Sequence, residues 1–444
     1  MQIGLSLSLT AQLRSSSTYA VLGFDPALVF DFKGNYFRKG ATDSTFAASI
    51  THARASSATM VNSSGTLVTV GNNVPRTGHH IYNGSAWVNE GILHESEART
   101  NVLTYSEDFT HSSWTKTSAS ISSNASTSPD GSLSADAIVP TAVNTNHFLA
   151  SNGTGVTSGQ NYSFSVFAKA GTQDWLRLAA TSAFFVNPNH VWFNLASGTV
   201  GTASTGVTAA ITDVGNGWYL CEWTAVASAN GNPQFFIVSE SGDGTFGYLG
   251  NGSEEAIFVW GAQVEAGSTP SSYIPTSGAS ATRAAETLTV PAANLPYDST
   301  NVSIQMDGKM TYADTGSLSE VQQYRWQLSA GSYILAGVKT NTTRTGQIFF
   351  SQRAPLSGID GVSGAENTYS PGTNVPFNIA ARHSSTFVNG AHEGTLLTTN
   401  VGPTVFPDLS ATDLELGETF MGTIGQFRMW DEDITGAGVT EAST

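Results

Sequence analysis

The sequence predicts an all-β protein in which an N-terminal docking segment is followed by two jelly-roll-type β-sandwiches. Three observations carry this expectation. Apolar residues recur every second position in many short runs, the period of a strand with one buried face. Asn-Gly and Asp-Gly pairs, which supply the positive φ of tight turns, separate those runs at intervals of roughly 8 to 12 residues. Only 12% of the 444 residues are charged while glycine contributes 45, a composition too poor in Glu and Lys to dress the solvent faces of many helices. With 23 Phe, 13 Tyr and 9 Trp, the chain has enough apolar surface to build large cores.

The opening MQIGLSLSLT alternates strictly, with Ile3, Leu5, Leu7 and Leu9 on one side and Gly4, Ser6, Ser8 and Thr10 on the other. An amphipathic terminal strand needs a partner, either an edge of its own sheet or the surface of a larger assembly. The four apolar residues are the candidate docking face, and residues 1–50 the candidate docking segment. Residues 51–100 hold short apolar stretches such as 66–70, broken by Gly, Asn and Ser, and read as a small β-rich unit. From Asn101 the runs lengthen: 162–168, 175–179, 191–195, 218–224, 234–238 and 257–263. In 218–223, Trp218, Leu220 and Glu222 face opposite to Tyr219, Cys221 and Trp223. These runs form the first sandwich, 101–275. The Ser-, Thr- and Pro-rich stretch GSTPSSYIPTSGASATR (267–283) leads into a linker at 276–285, with Arg283 as its exposed tryptic site. A second set of runs, from 286–290 to 423–430, forms the second sandwich, 286–444. No repeat of 20 to 50 residues is visible, so a solenoid or propeller is not supported.

The charge balance, 18 − 34 = −16, disfavours nucleic acid and anionic membranes, both of which reward clustered Lys and Arg. No stretch approaches a spanning helix and the start has no basic n-region, which points to synthesis in a cytoplasm. A single cysteine, Cys221, excludes an intrachain disulfide and a cysteine-based zinc site.

Several phrases resemble a known module. THARASSATMVNSSGTLVTVGNNVPR (51–76), GILHESEARTNVLTYSEDFTHSSWTK (91–116), FSVFAKAG (164–171), GNGWY (215–219) and WGAQVEAGSTPSSYIPT (260–276) occur in order, and Thr282-Arg283-Ala284-Ala285 closes the series. They are similar to minor structural and fibre proteins of tailed bacteriophages. There a phrase matched here by Glu97, Ala98, Arg99, Thr100 and Asn101 opens a carbohydrate-binding-like β-sandwich; Val102 stands where Leu is usual. The final block, through 377–382, Phe387-Val388-Asn389-Gly390 and GTIGQFRMWDEDIT (422–435), resembles a concanavalin-like, laminin-G-like sandwich. The resemblance implies a head or tail fibre or spike on the virion surface, assembled in the bacterial cytoplasm. Its implied partners are other virion proteins, host surface polysaccharide and further copies of itself, with a homotrimer expected by analogy with fibres.

Tests for chemistry leave no catalytic constellation. Among 34 acidic residues some pair always lies at glycosidase spacing, so carboxylates alone carry no signal. The clusters Glu254-Glu255 and Asp431-Glu432-Asp433 read as solvated turns, with calcium as the functional alternative; otherwise no cofactor or metal is expected. There is no His-Glu-x-x-His and no Gly-x-Ser-x-Gly. Cys221, flanked by aromatics, reads as a buried inert thiol. Trp175, Trp192, Trp218, Trp223, Trp260, Trp326 and Trp430 read as core. The glycan-contact candidates are therefore loop residues: Phe184 and Phe185 with Asn187, Asn189 and His190, and Tyr248. The leading expectation is a non-enzymatic binding protein, with a particle-borne depolymerase or esterase, or a bacterial surface adhesin, as alternatives.

Overall fold

The computed structural model describes residues 18–185, 189–314 and 319–444. Its architecture is almost all β, as the alternating runs predict, with short helices at Phe46–Ser49 and Thr435–Ala442. No helix among the described residues is long and apolar enough to cross a membrane. The docking candidates Ile3, Leu5, Leu7 and Leu9 lie outside the described residues.

The first sandwich packs two six-stranded antiparallel sheets. Across the front sheet the order is Trp114–Thr117, His147–Ser151, Phe235–Glu240, Trp175–Ala180, His190–Asn194, Thr199–Ala203; across the back sheet it is Ala119–Thr127, Leu133–Pro140, Ile257–Ala266, Asn161–Ala170, Trp218–Val226, Val207–Asp213. Tyr162, Phe164 and Val166 meet Cys221, Trp223, Leu176, Leu178 and Ile237 between them. Strand alternation then sends Ser165, Phe167, Leu220 and Glu222 to the outer face of the back sheet. That face is not solvated: Phe167, Trp218, Trp260 and Tyr273 form a second, smaller core upon it, joined by Leu67 and Leu220. Cys221 is fully buried as expected, and burial pushes its thiol well above the ordinary range. Of the seven tryptophans read as core, six are buried and Trp175 is half-buried.

The second sandwich is larger than residues 286–444. Met421–Trp430 is its central strand, pairing with Asn301–Tyr312 on one side. On the other side it is shared by two segments from the start of the chain. Met421 to Ile424 pair with Ile92 to Glu95, and Gln426 to Met429 pair with Leu28 to Asp31. The hairpin Tyr36–Lys39 and Thr42–Ser44 extends this sheet beyond Leu28–Asp31, and Thr51–Ala53 forms the edge of the opposing sheet beside Thr287–Val290.

The structure thus differs from the expected division at 50 and 100. The described part of residues 1–50 is sandwich, because Phe30, Phe32 and Phe37 need cover and find it against Phe427 and the core around Tyr324. Pairing across some four hundred residues leaves no local period for a sequence reading to detect.

The expected linker differs as well. Ala281–Arg283 pairs with Arg99–Asn101, and Arg283 is 1% exposed against Glu95. Limited trypsin digestion should therefore cut at the exposed Arg344 well before Arg283; an early fragment beginning at Ala284 would contradict the burial of this segment.

Candidate functional site

The six predicted glycan contacts do not converge. Phe185 is 2% exposed and packs edge-on against Trp223 at 5.1 Å and Phe235 at 5.9 Å, so it belongs to the core. Phe184 is half-buried over Gly231, where a Cβ would collide with its ring. Asn187 lies outside the described residues, and Asn189 is buried. His190 stands on the outer face of the front sheet, 4.6 Å from Trp192 and 5.5 Å from Phe246; burial and then the Arg177 charge lower its pKa. Tyr248 sits over His147, with its hydroxyl 2.8 Å from Ser239 Oγ. Beside His190, the 60% exposed Phe246 rests on Trp192 and on the Arg177 guanidinium, 5.0 Å from its ring. Arg177 is itself held by Glu240 at 2.7 Å.

Arg54, Arg76, Glu95, Ser272 and Arg283 from the quoted phrases meet Glu286 elsewhere, in a buried ionic knot. Arg54 follows the edge strand Thr51–Ala53, Arg76 opens Arg76–Tyr82, Glu95 ends Trp87–Glu95, and Arg283 and Glu286 flank the entry to Thr287–Val290. Glu286 accepts hydrogen bonds from Arg54 at 2.5 Å, from two nitrogens of Arg76 at 3.0 and 2.5 Å, and from the Glu95 backbone N–H at 2.8 Å. Glu95 in turn accepts from the Ser272 N–H and hydroxyl at 2.8 and 2.5 Å, and lies 2.8 Å from Arg76 and 3.0 Å from Arg283. Burial opposes both carboxylate charges, but the cations prevail. The Arg283 and Arg76 guanidinium groups hold Glu95 down at about 2, and His52 and Arg76 hold Glu286 well below the usual carboxylate range. Together these residues form a clamp that ties the 51–100 region to both sandwiches.

A cleft opens above this clamp, where residues 59–95, the outer face of the back sheet and the rim of the second sandwich meet. It encloses about 180 Å³. Its aromatic lining comprises Tyr82 and Trp87, 5.1 Å apart, and Phe167 and Tyr273, 6.0 Å apart. Trp87 lies against Gly65 and Gly215, where a Cβ would come within 2.1 and 2.8 Å of the indole; both glycines also have positive φ, of 77° and 75°. Larger residues at either position would push the indole aside.

One lining group stands out chemically. Glu222 projects from the back sheet opposite Ser165, is 5% exposed, and its Oε2 has no hydrogen-bond partner among the described residues. Burial, and then the neighbouring Glu265, push its pKa up to about 8. The nearby cations are committed elsewhere: Arg76 and Arg283 to the knot, and Arg99 to Glu97 and the Ala266 carbonyl. His79 is held at about 3 by burial and the Arg76 charge, and its Nδ1 accepts the Val61 N–H at 3.2 Å.

Sequence reasoning singled out neither Trp87 nor Glu222 as a site. The phase of Trp218–Val226 placed Glu222 away from the core, but nothing local marked that face as covered. At the two expected turn clusters, Glu255 accepts a hydrogen bond from Ser122 at 2.9 Å and Asp433 pairs with Arg382 at 2.9 Å. Among the described residues no group of three or more His, Cys, Asp or Glu side chains is placed to hold a metal ion.

No protein-family model matches this chain, and no curated protein matches it. Among solved structures, the botulinum neurotoxin serotype D binding domain is similar at 11% identity and a TM-score of 0.28, covering 35% of this chain and 38% of that one. The CBM40 of a Ruminococcus gnavus IT-sialidase is similar at 12% identity and a TM-score of 0.27, covering 34% of this chain and 86% of that one. The chain thus spans under half the length of the toxin domain that it matches. Overlaps of this extent carry no functional weight.

Proposed function

We propose that this protein is a surface component of a tailed-phage particle, a fibre or spike, that binds a host surface glycan in the three-sided cleft without turning it over. The observation that carries the binding reading is the cleft itself: several aromatic rings and one unpartnered carboxyl, on walls fixed by a buried clamp. Sugars present apolar ring faces and hydroxyl donors together, and such a lining suits both. The ordered phrases that resemble phage fibre proteins support the particle setting.

A hydrolytic reading has a specific observation in its favour, because Glu222 and Glu95 line one cleft with pKa values driven in opposite directions. Glu95, however, is engaged by Ser272, Arg76 and Arg283, which leaves it poorly placed to attack an anomeric carbon. Binding without turnover is the better reading.

The test is retention of the purified chain on immobilised host capsule or lipopolysaccharide, with reducing ends measured in parallel. Trp87→Ala should weaken retention roughly tenfold or more, Phe246→Ala should leave it unchanged, and reducing ends should stay at background. Loss with Phe246→Ala alone would move the site to the outer face of the front sheet. Turnover abolished by Glu222→Gln would establish the hydrolase. Mass spectrometry of purified particles tests the setting.

A further inference from the structure

We infer that the cleft is selective for a sugar ring bearing a free amine, with the Glu222 carboxylate receiving the ammonium group. This rests on the glycan-binding reading and names the class of sugar. The volume, about 180 Å³, admits one six-membered ring, since a cavity of about 150 Å³ holds benzene. A glycan would therefore enter through a single residue.

The charge inventory selects the substituent. The other carboxyls around Glu222 have partners. Glu95 faces Arg76 and Arg283; Glu265, across the sheet, accepts from Gln263 and from the N–H and hydroxyl of Ser271; Asp213 at the mouth accepts the Gly215 N–H. His79 and His80 on the facing wall are engaged with Val61 and Gly78. Glu222 alone among these has a buried oxygen with no donor and no cation paired to it among the described residues, and a carboxylate left so in an apolar site is costly. An ammonium group supplies the missing charge and donors, and the rings of the lining favour a cation near their faces. A neutral hydroxyl offers a donor without the charge. The proton that Glu222 carries in the empty cleft would leave as the ammonium enters.

Titration calorimetry of the full chain with glucosamine, N-acetylglucosamine and methyl glucoside, at about pH 6.5 in two buffers of different ionisation enthalpy, tests this. Glucosamine should bind roughly tenfold or more tighter than either neutral sugar, with release of about one proton per site. Glu222→Gln should abolish both the preference and the release while retaining weak binding of the neutral sugars. Equal affinity for all three sugars, or binding without proton release, overturns the inference and leaves the glycan reading in place. Binding of none overturns both. The selectivity and proton count come from the unmodified protein, so a variant that fails to fold does not rescue the claim.

Discussion

Glu286→Ala is expected to cost the fold about 3–5 kcal/mol, measured by urea denaturation at neutral pH, because it removes one partner from a buried ionic network. Arg54 and Arg76 are both fully buried and would lose their shared acceptor. Arg76 and Arg283 would then face Glu95 alone, and Arg54 would keep only the backbone carbonyls of Ser56, Gly71 and Val74. The damage should be greatest in the second sandwich, since Glu286 immediately precedes Thr287–Val290 and Arg54 immediately follows its neighbour Thr51–Ala53. The acid limb of stability gives an independent reading. Glu95 falls from an ordinary 4.5 to about 2 in the folded chain, and Glu286 moves in the same direction. Carboxylates depressed in this way contribute stability that is complete above the ordinary value and is lost as pH falls through the folded one. The unmodified protein should therefore weaken steeply between about pH 4.5 and 2, and the variant less steeply. A loss below about 1 kcal/mol, with an unchanged acid limb, would mean that the knot is replaceable by packing.

The clamp also shows what a sequence reading can and cannot reach. Strand identity was legible wherever alternation ran long: Tyr162, Phe164, Val166 and Ala168 announce a buried face, and the structure places them between the sheets. The inward phase of Cys221 and the opposite phase of Glu222 were legible for the same reason. Partnership was not. Leu28–Asp31 and Met421–Trp430 share a register across the length of the chain, and no local pattern encodes which edge a strand will meet. The Ser- and Pro-rich stretch after Gly267 misleads for a related reason: its composition suits a solvated linker, yet Tyr273 and Ile274 are buried, Tyr273 in the small core on the outer face of the back sheet. The candidate site suffered most. Loop aromatics such as Phe185 stand out in the sequence because loops are usually exposed, whereas Trp87 and Glu222 stand on strands whose outer faces become cleft only when another part of the chain covers them.

Glu222→Gln should make the protein more stable in alkali and change little in acid, a sign opposite to that of most substitutions at buried charged positions. In the folded chain burial and Glu265 hold the Glu222 proton up to about 8, against an ordinary 4.5. Between those values the folded state keeps a proton that the unfolded chain has released, so stability falls as pH rises through this window and the full penalty stands above about pH 8. Glutamine fills nearly the same volume and carries no charge to bury. Denaturation midpoints should coincide near pH 4, and at about pH 9 the variant should be the more stable by roughly 3–5 kcal/mol. Part of that gain reflects relief of Glu265, whose own pKa is raised by burial, so Glu265→Gln alone should recover a smaller share. A difference independent of pH would show that Glu222 is ionised and compensated in the folded state. An alkaline gain would instead establish a carboxyl kept neutral at the floor of the cleft, whose charge becomes affordable only when a cation arrives to meet it.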